Sequence, residues 1–204
     1  TGDYRSLEIG RQGNTITGAP WKSNLYFSTN ATITAGSTAF TYRYASELPT
    51  KMIMEDGFWT FSNAVAGTVG STISFTERMR IDSSGSFGLG IVPKASGTAW
   101  VNAQFGQATN IVSRKGASAN AIYSNNFYID SASADKRIIA GESNRLYLQG
   151  ATTRFQYAGT GAADSVVSWS ESMRIDSSGN VGIGTTSPTY PLEVAKNTTN
   201  NFTH

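Results

Sequence analysis

Five acidic side chains, Glu55, Asp56, Asp130, Asp135 and Glu142, are the residues of this chain best suited to acid–base chemistry. Two carboxylates facing a groove about 5–10 Å apart could hydrolyse a glycosidic bond. Glu55 and Asp56 fall in a predicted hairpin turn, where acidic residues are ordinary, and a duplicated copy of that turn carries Gln149 and Gly150 instead. His204 is the single histidine and the last residue, which leaves no Ser-His-Asp triad and no histidine metal site within one chain. Gly88-Leu89-Gly90 and Gly182-Ile183-Gly184 resemble the start of a phosphate-binding loop, but the third glycine is missing and Pro93 or Pro188 stands where a helix should run. No catalytic residue, metal or cofactor is expected, and the chain does not read as an enzyme.

The remaining candidates for binding are aromatic. Sugar rings present apolar C–H faces that stack on exposed Trp or Tyr. Trp21 and Trp100, each in a loop-like stretch, are the receptor-contact candidates, beside the alternative that the aromatics serve the core or an interface.

Whatever these residues do, a repeat must position them. Met79-Arg80-Ile81-Asp82-Ser83-Ser84-Gly85 returns letter for letter as Met173-Arg174-Ile175-Asp176-Ser177-Ser178-Gly179. Without a gap, 61–90 lies over 155–184 with about half of the positions identical. Upstream, a register two residues longer sets Gly10 on Gly106, Asn14 on Asn110, Asn24 on Asn120, Ser28 on Ser124 and Asn30 on Asn126, so a small deletion sits inside the second copy. Leu192-Glu193-Val194 echoes Leu7-Glu8-Ile9. The expected organisation is a first unit over 1–99, a second over 100–190, and the start of a further unit or a linker over 191–204, as in a piece of something longer.

The 204 residues are 39% hydrophobic and 15% charged, with 21 glycines and no cysteine. Large aliphatics are too few for a thick core, so the core is expected to be thin or shared with other chains. A net charge of +2, with Lys and Arg scattered singly, argues against nucleic acid. No apolar stretch approaches the length of a membrane span, so membrane insertion is not expected.

Alternation, not helical spacing, dominates the pattern, and the best helical stretch, 45–56, is broken by Pro49. Two hairpins are predicted per unit. The first is Met52-Ile53-Met54, a turn at Glu55-Asp56-Gly57, then Trp59-Thr60-Phe61; its counterpart sets Leu146, Leu148, Phe155 and Tyr157 on one face. The second is the duplicated motif, with Met79 and Ile81 pointing one way, Arg80 the other, and Asp82-Ser83-Ser84-Gly85 reversing the chain. Its return strand, Phe87-Gly88-Leu89-Gly90 or Val181-Gly182-Ile183-Gly184, is apolar on one face and bare glycine on the other. Such glycines imply close approach of another backbone, from a neighbouring chain or from a tight bend or bulge of the same one.

The stretch Glu171-Ser172-Met173-Arg174-Ile175-Asp176-Ser177-Ser178-Gly179-Asn180-Val181-Gly182-Ile183-Gly184-Thr185-Thr186-Ser187-Pro188, ending in Pro191-Leu192-Glu193-Val194, resembles a repeat common in bacteriophage tail fibres and related proteins. The first copy fits the same pattern but departs at Ser86, Phe87 and Leu89 and lacks the Thr-Thr-Ser-Pro ending. The resemblance implies an all-β tandem repeat in an elongated, intertwined homotrimeric fibre of the virion, often ahead of a C-terminal self-cleaving chaperone, which no part of this chain resembles. It implies attachment to other tail or baseplate proteins and contact with a host-surface glycan or outer-membrane receptor. A threefold core is then expected from Met79, Ile81, Phe87 and Leu89 in the first unit and Met173, Ile175, Val181 and Ile183 in the second, with Gly88, Gly90, Gly182 and Gly184 as the close-approach glycines. Two alternatives stand beside it: a polysaccharide depolymerase, which requires a parallel β-helix with a carboxylate pair in a groove, and a bacterial surface or filament protein built from the same repeat.

Overall fold

The computed structural model describes residues 5–10, 14–18, 24–33, 39–116 and 120–195, and among them every regular element is a β-strand. The chain divides into two compact units, Thr1–Val92 and Pro93–His204. Strands β1 (Arg5–Glu8), β2 (Thr15–Gly18), β3 (Leu25–Thr29), β4 (Ala31–Ile33), β5 (Phe40–Tyr42), β6 (Thr50–Glu55), β7 (Phe58–Asn63), β8 (Thr76–Ile81) and β9 (Phe87–Leu89) build the first unit. The second holds β10 (Trp100–Phe105), β11 (Thr109–Arg114), β12 (Asn120–Asn125), β13 (Tyr128–Ile129), β14 (Asp135–Lys136), β15 (Gly141–Gln149), β16 (Thr152–Gly161), β17 (Ser170–Ile175), β18 (Val181–Ile183) and β19 (Leu192–Val194).

The first unit is an antiparallel meander β1-β2-β3-β6-β7-β8-β9, and a separate hairpin, β4-β5, leaves it between β3 and β6. The second repeats the plan as β10-β11-β12-β15-β16-β17-β18, with the hairpin β13-β14 between β12 and β15. Among the described residues its one addition is β19, which joins β18 in parallel and carries the described part of 191–204. Pro49 closes the excursion and releases Thr50–Glu55 as a strand, so the second half of the stretch with the best helical spacing is extended and its first half is turn: Met52 and Met54 face one side and Ile53 the other.

Each excursion hairpin covers one face of its sheet. In the first unit Ala31, Phe40, Tyr42, Ala64 and Ile73 pack on Tyr26 and Ile53 of the sheet, with the Phe40 ring edge-on to Tyr26 and Phe75. In the second, Phe127, Ile129, Ala158 and Val167 pack on Val112 and Ile122, with Trp100, Tyr147 and Trp169 at the margin. Much of this covered layer is polar: Thr15, Thr17, Ser28, Thr60 and Ser62 are buried in one unit, Asn102, Gln104, Asn110 and Ser143 in the other. Several of these groups bond locally, as in Thr15 Oγ1 to Ser28 Oγ at 2.7 Å and Asn110 Nδ2 donating to the Phe127 carbonyl at 3.0 Å, while the side-chain oxygens of Asn102 and Asn110 are buried without a hydrogen-bond partner among the described residues.

Two asparagines pin the hairpins in place. Asn30 and Asn126 both adopt φ of 49°, a left-handed conformation that asparagine tolerates better than most residues. The Asn30 amide donates to the carbonyls of Tyr44 and Glu47 and accepts the Arg43 and Tyr44 N–H groups; Asn126 donates to the Glu142 carbonyl and accepts the Ile139 N–H. Equivalent glycines make room for different side chains. A Cβ on Gly67 would fall 2.5 Å from the Tyr42 ring and one on Gly161 2.6 Å from the Arg137 guanidinium, so a tyrosine and an arginine fill the same niche in the two units.

The upstream alignment needs one correction. Thr15 faces Ser28 as Asn110 faces Ser124, so the partner of Asn110 is Thr15 and not Asn14. The β10–β11 turn has lost a residue relative to β1–β2, and the β11–β12 connection has gained one. The two changes cancel in an ungapped comparison, yet a shift of one residue turns every side chain of the strand between them to the other face.

Candidate functional site

The duplicated motif is a hairpin closed by an aspartate. In the first copy Met79 faces Leu89, Arg80 faces Gly88 and Ile81 faces Phe87; in the second Met173, Arg174 and Ile175 face Ile183, Gly182 and Val181. Asp82 Oδ1 accepts the N–H groups of Ser84 (2.9 Å) and Ser86 (2.8 Å), and Gly85 sits at φ of 84°. Asp176 Oδ1 accepts those of Ser178 (2.8 Å) and Asn180 (2.9 Å), with Gly179 also at 84°. These bonds, the Asn180 N–H foremost, hold the Asp176 carboxyl below its ordinary range. A third turn of this kind was not foreseen: Asp130 Oδ1 accepts Ala132 and Ala134 N–H at 2.9 and 2.8 Å, and Ser133 takes the glycine position at φ of 63°. The run Ile129-Asp130-Ser131 carried that signal, but serine in place of glycine hid it.

A bulge precedes each hairpin. Phe61 faces Met79 but Ser62 faces Glu77, so Arg78 is the extra residue; Ser172 is its counterpart opposite Phe155 and Gln156. The bulge brings residues three apart onto one face. Arg80 therefore grips Glu77 through Nε and Nη2, both at 2.6 Å, and Arg174 grips Glu171 at 2.5 and 3.0 Å. These bidentate bonds raise both guanidinium pKa values.

With the charges drawn to that side, the opposite face carries two largely apolar rows in each sheet, bordered by Thr29, Thr50 and Asn63 in the first unit and by Asn125 and Asn144 in the second. In the first unit one row reads Leu7, Ile16, Phe27, Met52, Phe61, Met79, Leu89, and a second reads Leu25, Met54, Trp59, Ile81, Phe87. In the second unit the rows are Ala103, Ile111, Tyr123, Leu146, Phe155, Met173, Ile183, Val194 and Ala121, Leu148, Thr153, Ile175, Val181, Leu192. Among the described residues nothing of the same unit covers these side chains fully: Trp59 is 50% exposed, Ile81 40%, Leu89 45%, Tyr123 51%, Ile175 37% and Ile183 41%. Each face is hollowed. Ile16, Phe27, Met52 and Phe61 line a depression of about 660 Å³, and Tyr123, Leu146, Phe155 and Tyr157 line one of about 700 Å³.

All eight apolar residues singled out in the sequence therefore lie on this face, as two of the strands that form it. Gly88 and Gly182 lie on the covered side, where both are buried. What approaches Gly182 belongs to its own chain: a Cβ there would lie 2.8 Å from the Thr185 carbonyl oxygen and 3.3 Å from Pro188. Gly184 likewise abuts the Ala195 carbonyl at 2.8 Å, whereas Gly90, at φ of 70° with nothing within 4 Å, is there for its backbone conformation. Trp100 begins a strand instead of a loop and packs against the second core, with Arg114 over its ring. Trp21 and His204 lie outside the described residues.

Each candidate carboxylate has a local structural partner or place. Glu55 accepts Asn24 Nδ2 at 2.5 Å, Asp56 (φ 45°) and Gly57 form the β6–β7 turn, Asp130 closes its own turn, and Asp135 accepts Arg145 Nη1 at 2.8 Å and Trp169 Nε1 at 2.7 Å. Glu142 is exposed on β15. No group of three His, Asp or Glu side chains fit to hold a metal occurs among the described residues. One pair of cations also escaped sequence reasoning, although the repeat spacing joins them. Lys51 lies 4.4 Å from the Phe75 ring centre and 5.0 Å from that of Phe40; Arg145 lies 4.1 Å from Trp169 and 4.7 Å from Tyr147. Burial pushes both cations' pKa values down, with Asp135 opposing the shift at Arg145.

No family model matches the chain, and no curated protein matches it.

Proposed function

We propose that this chain is a structural and adhesive segment of an elongated, homotrimeric bacteriophage tail fibre, carried on the virion and contributing to attachment at the host surface. The observation that supports it most is the uncovered apolar face. Two successive sheets each seal one side with their own hairpin and leave on the other side rows of partly exposed aliphatic and aromatic side chains, the kind of surface that marks an interaction site. Sister chains meeting on that face would bury it and couple folding to assembly. The duplicated Asp-turn hairpin supplies the resemblance to tail-fibre repeats, and the local partners of the carboxylates favour a scaffold over an active site. The depolymerase alternative required a parallel β-helix, whereas the ladders of both units are antiparallel except β18–β19. Binding to tail or baseplate proteins and to a host glycan or outer-membrane receptor belongs to the same proposal; repeated weak contacts on three chains would add through avidity.

Light scattering on the purified chain tests the assembly. A mass of about 65 kDa, three times 21.8 kDa, is expected at micromolar concentration, and a folded particle of one chain overturns the proposal. Competition of the purified protein with phage for adsorption to the host tests attachment.

A further inference from the structure

We propose that the outer edge of β1 is a docking site for the return strand of another copy of the duplicated hairpin, added in parallel so that one repeat unit continues the sheet of the next. The inference concerns contacts along a row of repeats and is independent of whether sister chains meet on the apolar face.

The chain already contains one example of the joint. Beyond the second hairpin, β19 lies parallel to β18, with Leu192 opposite Val181, Glu193 opposite Gly182 and Val194 opposite Ile183. The ladder is anchored by Val181 N–H donating to the Pro191 carbonyl and Ala195 N–H to the Ile183 carbonyl, both at 2.9 Å. Residues 191, 193 and 195 thus turn their backbone groups toward β18. Glycine is needed for this arrangement, because a Cβ on Gly184 would strike the Ala195 carbonyl.

Leu7-Glu8-Ile9 is the same sequence element as Leu192-Glu193-Val194. It is followed by an antiparallel partner, β2, and among the described residues β1 has no strand on its other side. Its backbone parity can be read independently. Ile9 N–H donates to the Asn14 carbonyl at 3.1 Å, so Ile9 and, by alternation, Leu7 turn their backbone groups toward β2, and Ser6 and Glu8 turn theirs outward. Ser6 and Glu8 correspond to Pro191 and Glu193, two of the residues that bond β18. The edge left open on β1 is therefore the edge that β19 uses. The side chains agree as well: Leu7 stands on the apolar face beside Ile16, as Leu192 stands beside Val181. An open edge of this kind invites strand addition, and the occupant that matches its register is a Val-Gly-Ile-Gly or Phe-Gly-Leu-Gly strand.

Removing β19 exposes the complementary edge of β18 and gives the test. The chain has no cysteine, so Leu7→Cys with Val181→Cys reports the contact alone. In a chain ending at Tyr190, mild oxidation is expected to yield a head-to-tail ladder of linked chains; the full chain, with β18 already covered, is expected to lose that ladder. Glu8→Cys with Val181→Cys, which places the thiols on opposite faces, is expected to give none. No ladder from a folded truncated chain, or equal ladders from all three, overturns the proposal. Where truncation unfolds β18, a copy of 93–190 fused ahead of the full chain carries the same pair in one polypeptide, and failure of that disulfide overturns it equally. Sized without denaturant, ladder steps of three chains accompany an intact trimer and steps of one chain its absence, while a trimer without a ladder removes the edge contact alone.

Discussion

Ile81→Thr combined with Ile175→Thr is the sharpest perturbation of the uncovered face. Both residues stand at the same place in the duplicated hairpin, and threonine keeps the β-branched shape that strands favour while removing apolar surface. In the chain alone Ile81 is 40% and Ile175 37% exposed. Full burial of an isoleucine contributes about 1.5–3 kcal/mol, so the part still to be covered is worth about 0.6–1.2 kcal/mol per side chain. A trimer holds six such side chains, which makes the expected loss about 4–7 kcal/mol, or about 10³–10⁵-fold in the assembly constant. The fold of each chain should change little. Sedimentation or light scattering over a dilution series is expected to shift from the trimeric mass toward 21.8 kDa, with an unchanged far-ultraviolet spectrum. A variant that stays trimeric at the same dilution as the parent refutes the assignment of this face to assembly.

Four further outcomes follow from the core and the turns. Arg145→Met should lower stability by about 3 kcal/mol, since it strips the cation from Asp135, which is only 27% exposed, and Arg145→Lys by about 1 kcal/mol, Lys51 being the natural precedent; denaturant midpoints at fixed protein concentration decide, and equal losses refute a role for the positive charge between Asp135 and the rings. The depressed Asp176 pKa stabilises the turn fully above the unfolded carboxylate value near pH 4, and this contribution disappears as pH falls through the folded value, so Ser178 and Asn180 amide signals should lose protection there and Asp176→Ala should abolish that pH dependence. Asn126→Ala and Asn126→Gly both lose two partly buried bonds, but glycine accepts φ of 49° and should cost about 1 kcal/mol less than alanine; equal midpoints would refute a role for the left-handed backbone. Gly182→Ala, with its Cβ 2.8 Å from the Thr185 carbonyl, should cost about 1–3 kcal/mol, while Gly159→Ala, with nothing within 4 Å, should stay within about 0.5 kcal/mol of the parent in the same melts.

The hairpins were legible in the sequence because their signals are local. Asp56-Gly57 and Asp82 to Gly85 specify turns through backbone demands that few other residues meet, and alternation in 52–61 and 145–157 then sets the faces. What sequence did not reveal depends on partners distant along the chain. Phe40 and Phe127 join the core only because hairpins fold back over the sheet, and nothing near them announces that return. Trp100 looked like loop because Gly97 and Ser96 precede it, yet its pairing with Arg114 makes it a strand residue. The slip of β11 against β2 was hidden by two compensating changes in turn length, which leave letters aligned and faces reversed. The apolar face itself was partly visible in Met79, Ile81 and their copies, but its breadth needed the cross-strand registers of Ile16, Phe27 and Met52.

The polar character of the covered layer has a calorimetric consequence. Exposing hydroxyls and amides lowers the heat capacity of a chain whereas exposing hydrocarbon raises it. Melting one isolated subunit, whose sealed side holds Thr17, Ser28, Asn102, Gln104 and Asn110, should therefore show a small heat-capacity increment for its length and a broad, flat dependence of stability on temperature. In the proposed trimer the large increment would belong to the step in which hydrocarbon faces separate, so cooling would loosen the contacts between chains before it loosened the chains themselves.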